Sequence, residues 1–545
     1  MSQGGAEPQG ELPCGSGGCA APVGPLHPVI APSRHDPLVR MTSQVLGGPA
    51  GSRLATARGF WRAGTVLVLL AMALMSLGIV ERQHCRAEGW SEPDMFWHAC
   101  YSDIAVVYTG SGLSQPDSPD LRTAVGNSAI DQPPLAAAAM WLVSQAIDPE
   151  RPGSAPRRFF DLSAIALAAC LAAAVIMLGL AAGRRRWDAA HLALSPLIVT
   201  AGLVNYQMVA VVLLVGSLLA WSRYRPQLSG MLLGAAACTA PSLAALGVGI
   251  VALSLRAGRR VEAALFVATG TATWFAVRIV FKPGVGTQTL AATAGMLVGA
   301  FLMSRAPRAL RAAGAALLAL GAVGVLFAYV SESATKDAVL RSWDAWRAQT
   351  ASYGSPWMIP QLMDRNRPGA LGSWFPSGPL SAGTVTAVTV FGLVVVLFGV
   401  VFLVFSAQHR PRVAHVALVL TVGTILVSKS VPVQASLLLL PMVALSGLRW
   451  RDHLLWATTE IIYFVSIWIY IAGSWDQNRG LPAGLYLIVL VLRLAGIAWI
   501  GVQGIRAILD PHRDPVRLPE DDLDGRDDPQ GGPLDEASDA LRFVS

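Results

Sequence analysis

Gly383-Thr384-Val385-Thr386-Ala387-Val388-Thr389-Val390-Phe391-Gly392-Leu393-Val394-Val395-Val396-Leu397-Phe398-Gly399-Val400-Val401-Phe402-Leu403-Val404-Phe405 runs through 383–405 without one charged side chain. At about 1.5 Å per residue such a helix crosses the roughly 30 Å of a bilayer core. Further apolar runs lie near 64–80, 159–182, 189–203, 204–222, 229–240, 241–255, 261–281, 288–304, 311–330, 413–428, 435–448, 453–472 and 484–508. Several are shorter than a crossing helix and must extend into their flanks. The run 135–147 is too short to assign and is treated as re-entrant. The expected fold is all-α, a polytopic transmembrane helix bundle of about 12–14 spans. The composition agrees, at 53% hydrophobic residues with a mean hydropathy of +0.51.

Charge orients the bundle. The basic clusters are Arg53/Arg58/Arg62, Arg184/Arg185/Arg186, Arg223/Arg225, Arg256/Arg259/Arg260, Arg305/Arg308/Arg311, Arg410/Arg412 and Arg449/Arg451. If 135–147 does not cross, one alternating topology puts every cluster and both termini on a single face. The positive-inside rule makes that face cytoplasmic, in a plasma (inner) membrane. Arginines so placed account for the net +7 and exclude a nucleic-acid partner. Residues 1–55 read as a disordered cytoplasmic tail, 56–509 as the membrane domain, and 510–545 as an acidic, solvated tail with Glu520, Asp521, Asp522, Asp524, Asp527 and Asp528.

The opposite, external face then receives two long loops, 81–134 and 331–380. It also holds the Asn205-Tyr206-Gln207 turn, the Thr239-Ala240-Pro241 turn and the turn containing Lys429. Tryptophans gather there, Trp343, Trp346 and Trp357 among them, as interfacial belts or ligand contacts. In the first loop Cys85 and Cys100 are a candidate disulfide. Closing such a loop contributes roughly 3 kcal/mol in the chain-entropy model. Asp103 follows, ahead of the apolar Ile104, Val106, Val107 and Tyr108, a pattern suited to a helix along the membrane surface. A partly desolvated carboxylate there suits a general base, against the plainer reading of a solvated loop aspartate. The loop closes on Asp131-Gln132-Pro133-Pro134. Lys429, in Ser428-Lys429-Ser430-Val431-Pro432-Val433-Gln434 between two apolar runs, carries a charge costing roughly 2.5–3.5 kcal/mol at bilayer depth, which marks it as functional.

In this order the features resemble the C-type integral-membrane glycosyltransferases. The nearest likeness is family 87, which includes polyprenyl-phosphate-mannose-dependent mannosyltransferases, and within it a largely uncharacterised actinobacterial subgroup. The likeness covers roughly residues 60–545. It rests on Cys100-Tyr101-Ser102-Asp103-Ile104, on Gly354-Ser355-Pro356-Trp357 ending the Trp-rich loop, and on Lys429, Gln434 and Pro441. The resemblance implies a polyprenyl-phosphate sugar donor, mannose by default with arabinofuranose beside it, and a cell-envelope glycolipid or lipoglycan acceptor. Asp103 would deprotonate the acceptor hydroxyl, with inversion. Lys429, Gln434, Arg341 and Arg347 would hold the donor phosphate. Tyr101, Asp131, Asn205, Tyr206, Trp343 and Trp357 would contact sugar or acceptor. No cofactor is implied. Glu92, Asp94 and Asp103 could hold a divalent ion but have no metal-ligand spacing, so metal dependence stays open and no metal is assigned.

The chain departs from this pattern in places. Cys238-Thr239-Ala240-Pro241 stands where relatives carry a lysine before the proline, Gln207 replaces the aspartate of their Asn-Trp-Asp element, and Gln132 replaces the tyrosine before Pro133. These departures point to an altered donor or acceptor, or to lost catalysis. Two other classes stand beside the transferase. A transporter or flippase of lipid-linked sugar would use Lys282 and Glu460, although Glu460 also reads as a paired helix carboxylate. A non-catalytic membrane scaffold would not depend on Asp103.

Overall fold

The computed structural model describes residues 36–42, 45, 60–114, 120–126, 130, 132–148, 152–281, 285–305, 308–367, 378–517, 528–535 and 537–543. The described chain is helical, with no strand among those residues. The elements used below are α1 (Phe60–Glu81), α2 (Asp103–Gly110), α3 (Ala155–Ala181), α4 (Gln207–Ser222), α5 (Pro226–Thr239), α6 (Arg260–Val280), α7 (Arg308–Ser331), α8 (Ser333–Ala348), α9 (Ala382–Ser406), α10 (Val413–Leu426), α11 (Trp450–Ala472) and α12 (Ala483–Leu509).

Seven helices are long and apolar enough to cross a membrane: α1, α3, α6, α7, α9, α11 and α12. Among the described residues the shorter apolar helices are Pro134–Ser144, Gln207–Ser222, Pro241–Arg256, Thr287–Met303, Val413–Leu426 and Val433–Ser446, so the expected 12–14 crossings are reached only if these also traverse. Several shorten for reasons visible in the chain. The 189–203 run breaks into Ala190–Ala193 and Leu197–Ala201 around Ser195-Pro196, because proline supplies no N–H to the preceding turn. The 435–448 run opens as a 3-10 turn, Val433–Leu438, before Leu440–Ser446. The run 135–147 forms an eleven-residue helix, Pro134–Ser144. Such half-helices leave carbonyls unpaired at depth, and each must find a donor inside the protein.

The bundle has two chemically different ends. At one, Arg185 pairs with Asp188, the Trp450 N–H donates to Asp36, and the segment beyond α12 folds back over the basic clusters. The sequence places a solvated acidic tail there. Its acidic run 520–527 lies outside the described residues, but of the described parts 528–535 is almost wholly buried and Asp514 fully so, while 538–543 is exposed. Arg412, fully buried, donates to Asp514 at 2.7 Å, to the Leu445 carbonyl at 2.8 Å, and to Gln530. Arg256 donates to Asp539 at 2.6 Å and to the Val404 carbonyl. Arg410 caps Leu534 and Ala537 carbonyls, and Phe543 lies on Phe405 with ring centroids 5.0 Å apart. The tail is therefore a counter-charge for arginines that composition treats as solvent-facing. Likewise 36–42 of the N-terminal tail is a described helical turn, whereas 1–35 lies outside the described residues.

This latch has a pH limit. Burial pushes the Asp514 carboxyl up, but the Arg412 charge, with His415, the Val516 N–H and Arg517 beside it, together outweighs burial and holds the group below its ordinary value. A depressed folded-state value stabilises above the unfolded value of about 3.9 and is lost as pH falls through the folded one. Limited proteolysis is expected to leave 528–535 protected from neutral pH down to about pH 4 and to release it in stronger acid. Release already at pH 6 would rule out the Arg412–Asp514 pair as the holding contact.

Candidate functional site

At the opposite end the two long loops meet the Lys429 turn. The Cys85–Cys100 disulfide, with Cα atoms 5.9 Å apart, is fully buried. Around it Met95, Phe96, Val204, Met358, Val433, Tyr463 and Trp468 form a small second core, separate from the main one. The first loop, the Asn205 turn, the second loop and the Gln434 turn thus share one apolar anchor. Arg122, in the same first loop, donates to the Val285 carbonyl between α6 and the following helix.

Asp103 opens α2. Ser102 before it is extended (φ −148°, ψ 121°) and its hydroxyl donates to the Leu203 and Val204 carbonyls, tying the start of α2 to the Asn205 turn. A carboxylate in a first helical turn is favoured by the positive end of the peptide dipoles. Ile104, Ala105 and Tyr108 are buried, Tyr108 stacking on Phe159 of α3 at 4.3 Å, so α2 is fixed against the bundle. The Tyr101 hydroxyl donates to Asp103 Oδ1 at 2.6 Å. Burial, then the charge of Asp103, pushes the Tyr101 phenol well above its ordinary value, so it stays protonated and remains a donor. Its ring lies 4.6 Å from Trp468 and 5.5 Å from Phe96, which in turn stacks near Trp475 at 5.4 Å. A half-buried carboxylate beside an aromatic wall is suited to accepting a proton from a bound hydroxyl compound.

The cations behave otherwise. Lys429 is 3% exposed. Its ammonium donates to the Trp346 carbonyl at 2.7 Å, the Gln349 carbonyl at 3.2 Å and the Thr386 hydroxyl at 2.6 Å, and it lies 4.2 Å from the Trp346 ring. An ammonium has three donors, and all are engaged. It caps the C-terminal end of α8, where carbonyls are unpaired and the dipole is negative. In this structure the Lys429 protons go to the Trp346 carbonyl of α8, to Gln349 just past its end and to the Thr386 hydroxyl of α9. Arg82 does the same for the broken 189–203 run, donating to Val199 and Thr200 carbonyls, and Arg493 donates to Val431 and Pro432 carbonyls while pairing with Glu460 at 2.9 Å. Lys429→Met is expected to loosen α8 and the second loop, since a buried acceptor left unpaired costs about 1–3 kcal/mol. Hydrogen exchange over 333–358 measures this; exchange unchanged from the wild type would show that the cap is not holding α8.

The remaining expected residues divide. Trp357 is structural: its indole N–H donates to the Val427 carbonyl at 3.1 Å, beside Ser355, whose hydroxyl donates to Ser428. Between them Gly354 has φ +80°, and a Cβ there would stand 2.1 Å from the Val431 carbonyl, so only glycine fits. Tyr206 is buried and donates to Ser163 in α3, away from the loops. The Asn205 side chain accepts from the Gln207 N–H and caps α4. Gln434 is 8% exposed. Trp343 is half exposed and stacks on Trp346 at 5.1 Å. Arg347 is exposed in a recess of about 500 Å³ with Asp344 and Thr386; a second recess, of about 320 Å³, holds Ser352, Tyr353, Gln361 and Arg365. Asp131, Lys282 and the Arg341 side chain lie outside the described residues. The aromatic wall of Phe96, Trp468 and Trp475, and the buried Arg82 and Arg493, are additions. Arg493 had a signal, being an arginine inside the 484–508 run.

The chain matches no family model, no curated protein and no solved structure.

Proposed function

We propose that this chain is a membrane glycosyltransferase, moving a sugar from a polyprenyl-phosphate donor to a cell-envelope glycolipid or lipoglycan. Mannose is the sugar favoured by resemblance, with arabinofuranose second. Asp103 takes the acceptor hydroxyl proton as that oxygen bonds to the anomeric carbon. The bond from that carbon to the phosphate oxygen breaks, and polyprenyl phosphate leaves with the electron pair. Attack opposite the leaving group inverts the centre. The observation that carries this reading is the Tyr101–Asp103 pair, a carboxylate fixed at a helix start beside an aromatic wall. Arg347 is the cation best suited to the leaving phosphate, because it is exposed in a recess while Lys429 is occupied. Stabilisation of developing charge needs such a donor.

A scaffold without catalysis is the second reading, favoured by the engagement of Lys429 with backbone. Purified protein in nanodiscs, given polyprenyl-phosphate mannose or arabinofuranose and an envelope glycolipid extract, separates the two. Transfer that depends on Asp103 supports the transferase; no transfer by well-folded wild type, with native acceptors present, favours the scaffold.

A further inference from the structure

We infer that His84, Asp94 and His98 form a binding site for a borderline divalent transition metal, with Zn²⁺ as its natural fit. Asp94 and His98 stand four residues apart on one short helical turn, Asp94–Trp97 with His98 at its end, and His84 reaches them from the preceding helix, Gln83–Glu88. His84 Nε2 lies 2.7 Å from Asp94 Oδ2, and His98 Nδ1 lies 3.1 Å from Asp94 Oδ1. The two imidazoles stack, with centroids 3.6 Å apart and planes at 25°. One ligand atom from each residue falls within 4.8 Å of the others.

Tetrahedral zinc with bonds of about 2.0–2.1 Å needs ligand atoms about 3.3 Å apart, so the 2.7 Å His84–Asp94 contact must open, the wider pairs, which lie within 4.8 Å, must close, and the stacked imidazoles must turn so that their nitrogens converge. Side-chain exposures of 38%, 35% and 47% leave a side open for water as a fourth ligand. Two imidazoles with one carboxylate select zinc-like ions over Mg²⁺ and Ca²⁺, which prefer all-oxygen sites. The fold prepares the set. Cys85 follows His84 and Cys100 closely follows His98, so the disulfide holds both histidines in register without metal. The Asp94–Trp97 turn presents the carboxylate between them. A metal here would stiffen the segment leading into Tyr101 and Asp103. The site stands independently of the transfer reading.

The test uses the full chain in detergent, without a polyhistidine tag. After chelator stripping, the protein is equilibrated with Zn²⁺, Mg²⁺ or Ca²⁺ and bound metal is counted by mass spectrometry, with melting temperature as a second readout. One Zn²⁺ per chain, a raised melting temperature, and no uptake of Mg²⁺ or Ca²⁺ are expected. His84→Gln and His98→Gln should each weaken Zn²⁺ binding at least about tenfold, and together abolish it. Both side chains are partly exposed, so the variants should keep the disulfide and elute as wild type. No zinc retained by the wild type, or equal uptake by the double variant, would overturn the proposal.

Discussion

Asp103→Asn lowers the sugar-transfer rate by about 10²–10⁴-fold, the usual worth of a positioned general base, while melting and elution stay at wild-type values. The asparagine keeps the shape and still accepts from the Tyr101 hydroxyl, so the 2.6 Å contact and the packing of α2 survive. What it removes is the ability to take a proton. Tyr101→Phe gives the contrasting result. It leaves the carboxylate but removes the donor that orients it, so the rate falls by less, about tenfold. The measurement is initial rate under saturating lipid donor, with both variants checked for folding. An Asp103→Asn protein as active as the wild type would exclude this carboxylate as base.

Glu460→Ala destabilises the bundle by about 3–5 kcal/mol, the range for breaking a buried pair by removing one partner. Glu460 is 3% exposed and Arg493 is fully buried, facing the Tyr463 ring at 4.1 Å. Without the carboxylate the guanidinium keeps the carbonyls of Val431 and Pro432 and the Tyr463 ring but no counter-charge. Glu460→Gln should cost less, because its amide oxygen still accepts from Arg493. Paired replacement by Glu460→Leu and Arg493→Met should recover part of the loss, limited by the Val431 carbonyl that loses its guanidinium donor, while the Pro432 carbonyl keeps the Ala435 N–H. Thermal unfolding in one detergent compares the four proteins. A Glu460→Ala protein that melts with the wild type would mean water already reaches the pair. The outcome also bears on transport, since a carboxylate locked against arginine is poorly suited to carry an ion.

The helical membrane class was legible because an uncharged run such as 383–405 has one structural solution in lipid. Helix ends were less legible. Ser195-Pro196 and Pro441 mark breaks, but periodicity does not say how deep a broken segment stops. The gathering of Asp103, Asn205, Trp357 and Gln434 near one apolar anchor follows from alternating topology and could be read ahead. The use of Lys429 could not. A cation at bilayer depth needs partners, and a sequence names charged candidates more readily than the carbonyls of a helix eighty residues away. The tail misled for the same reason: acidity suggests solvation unless buried arginines wait at the end it reaches, and Arg256 and Arg412 look like ordinary inside charges until their burial is known. His84, Asp94 and His98 show a third case, where spacing carries no recognisable metal pattern and only the folded turn brings the proposed ligands together.

The C-terminal latch bears on biogenesis. Arg256 and Arg412 emerge from the ribosome well before Asp539 and Asp514, the carboxylates that neutralise them. Through that interval the nascent bundle offers these guanidinium groups the carbonyls of Val404 and Leu445 but no carboxylate, and the rest of each falls to water, lipid phosphates or a chaperone. Insertion of the helices and completion of the protein are therefore separate events, and a chain interrupted after α12 would be threaded into the membrane yet still recognisable to quality control as unfinished.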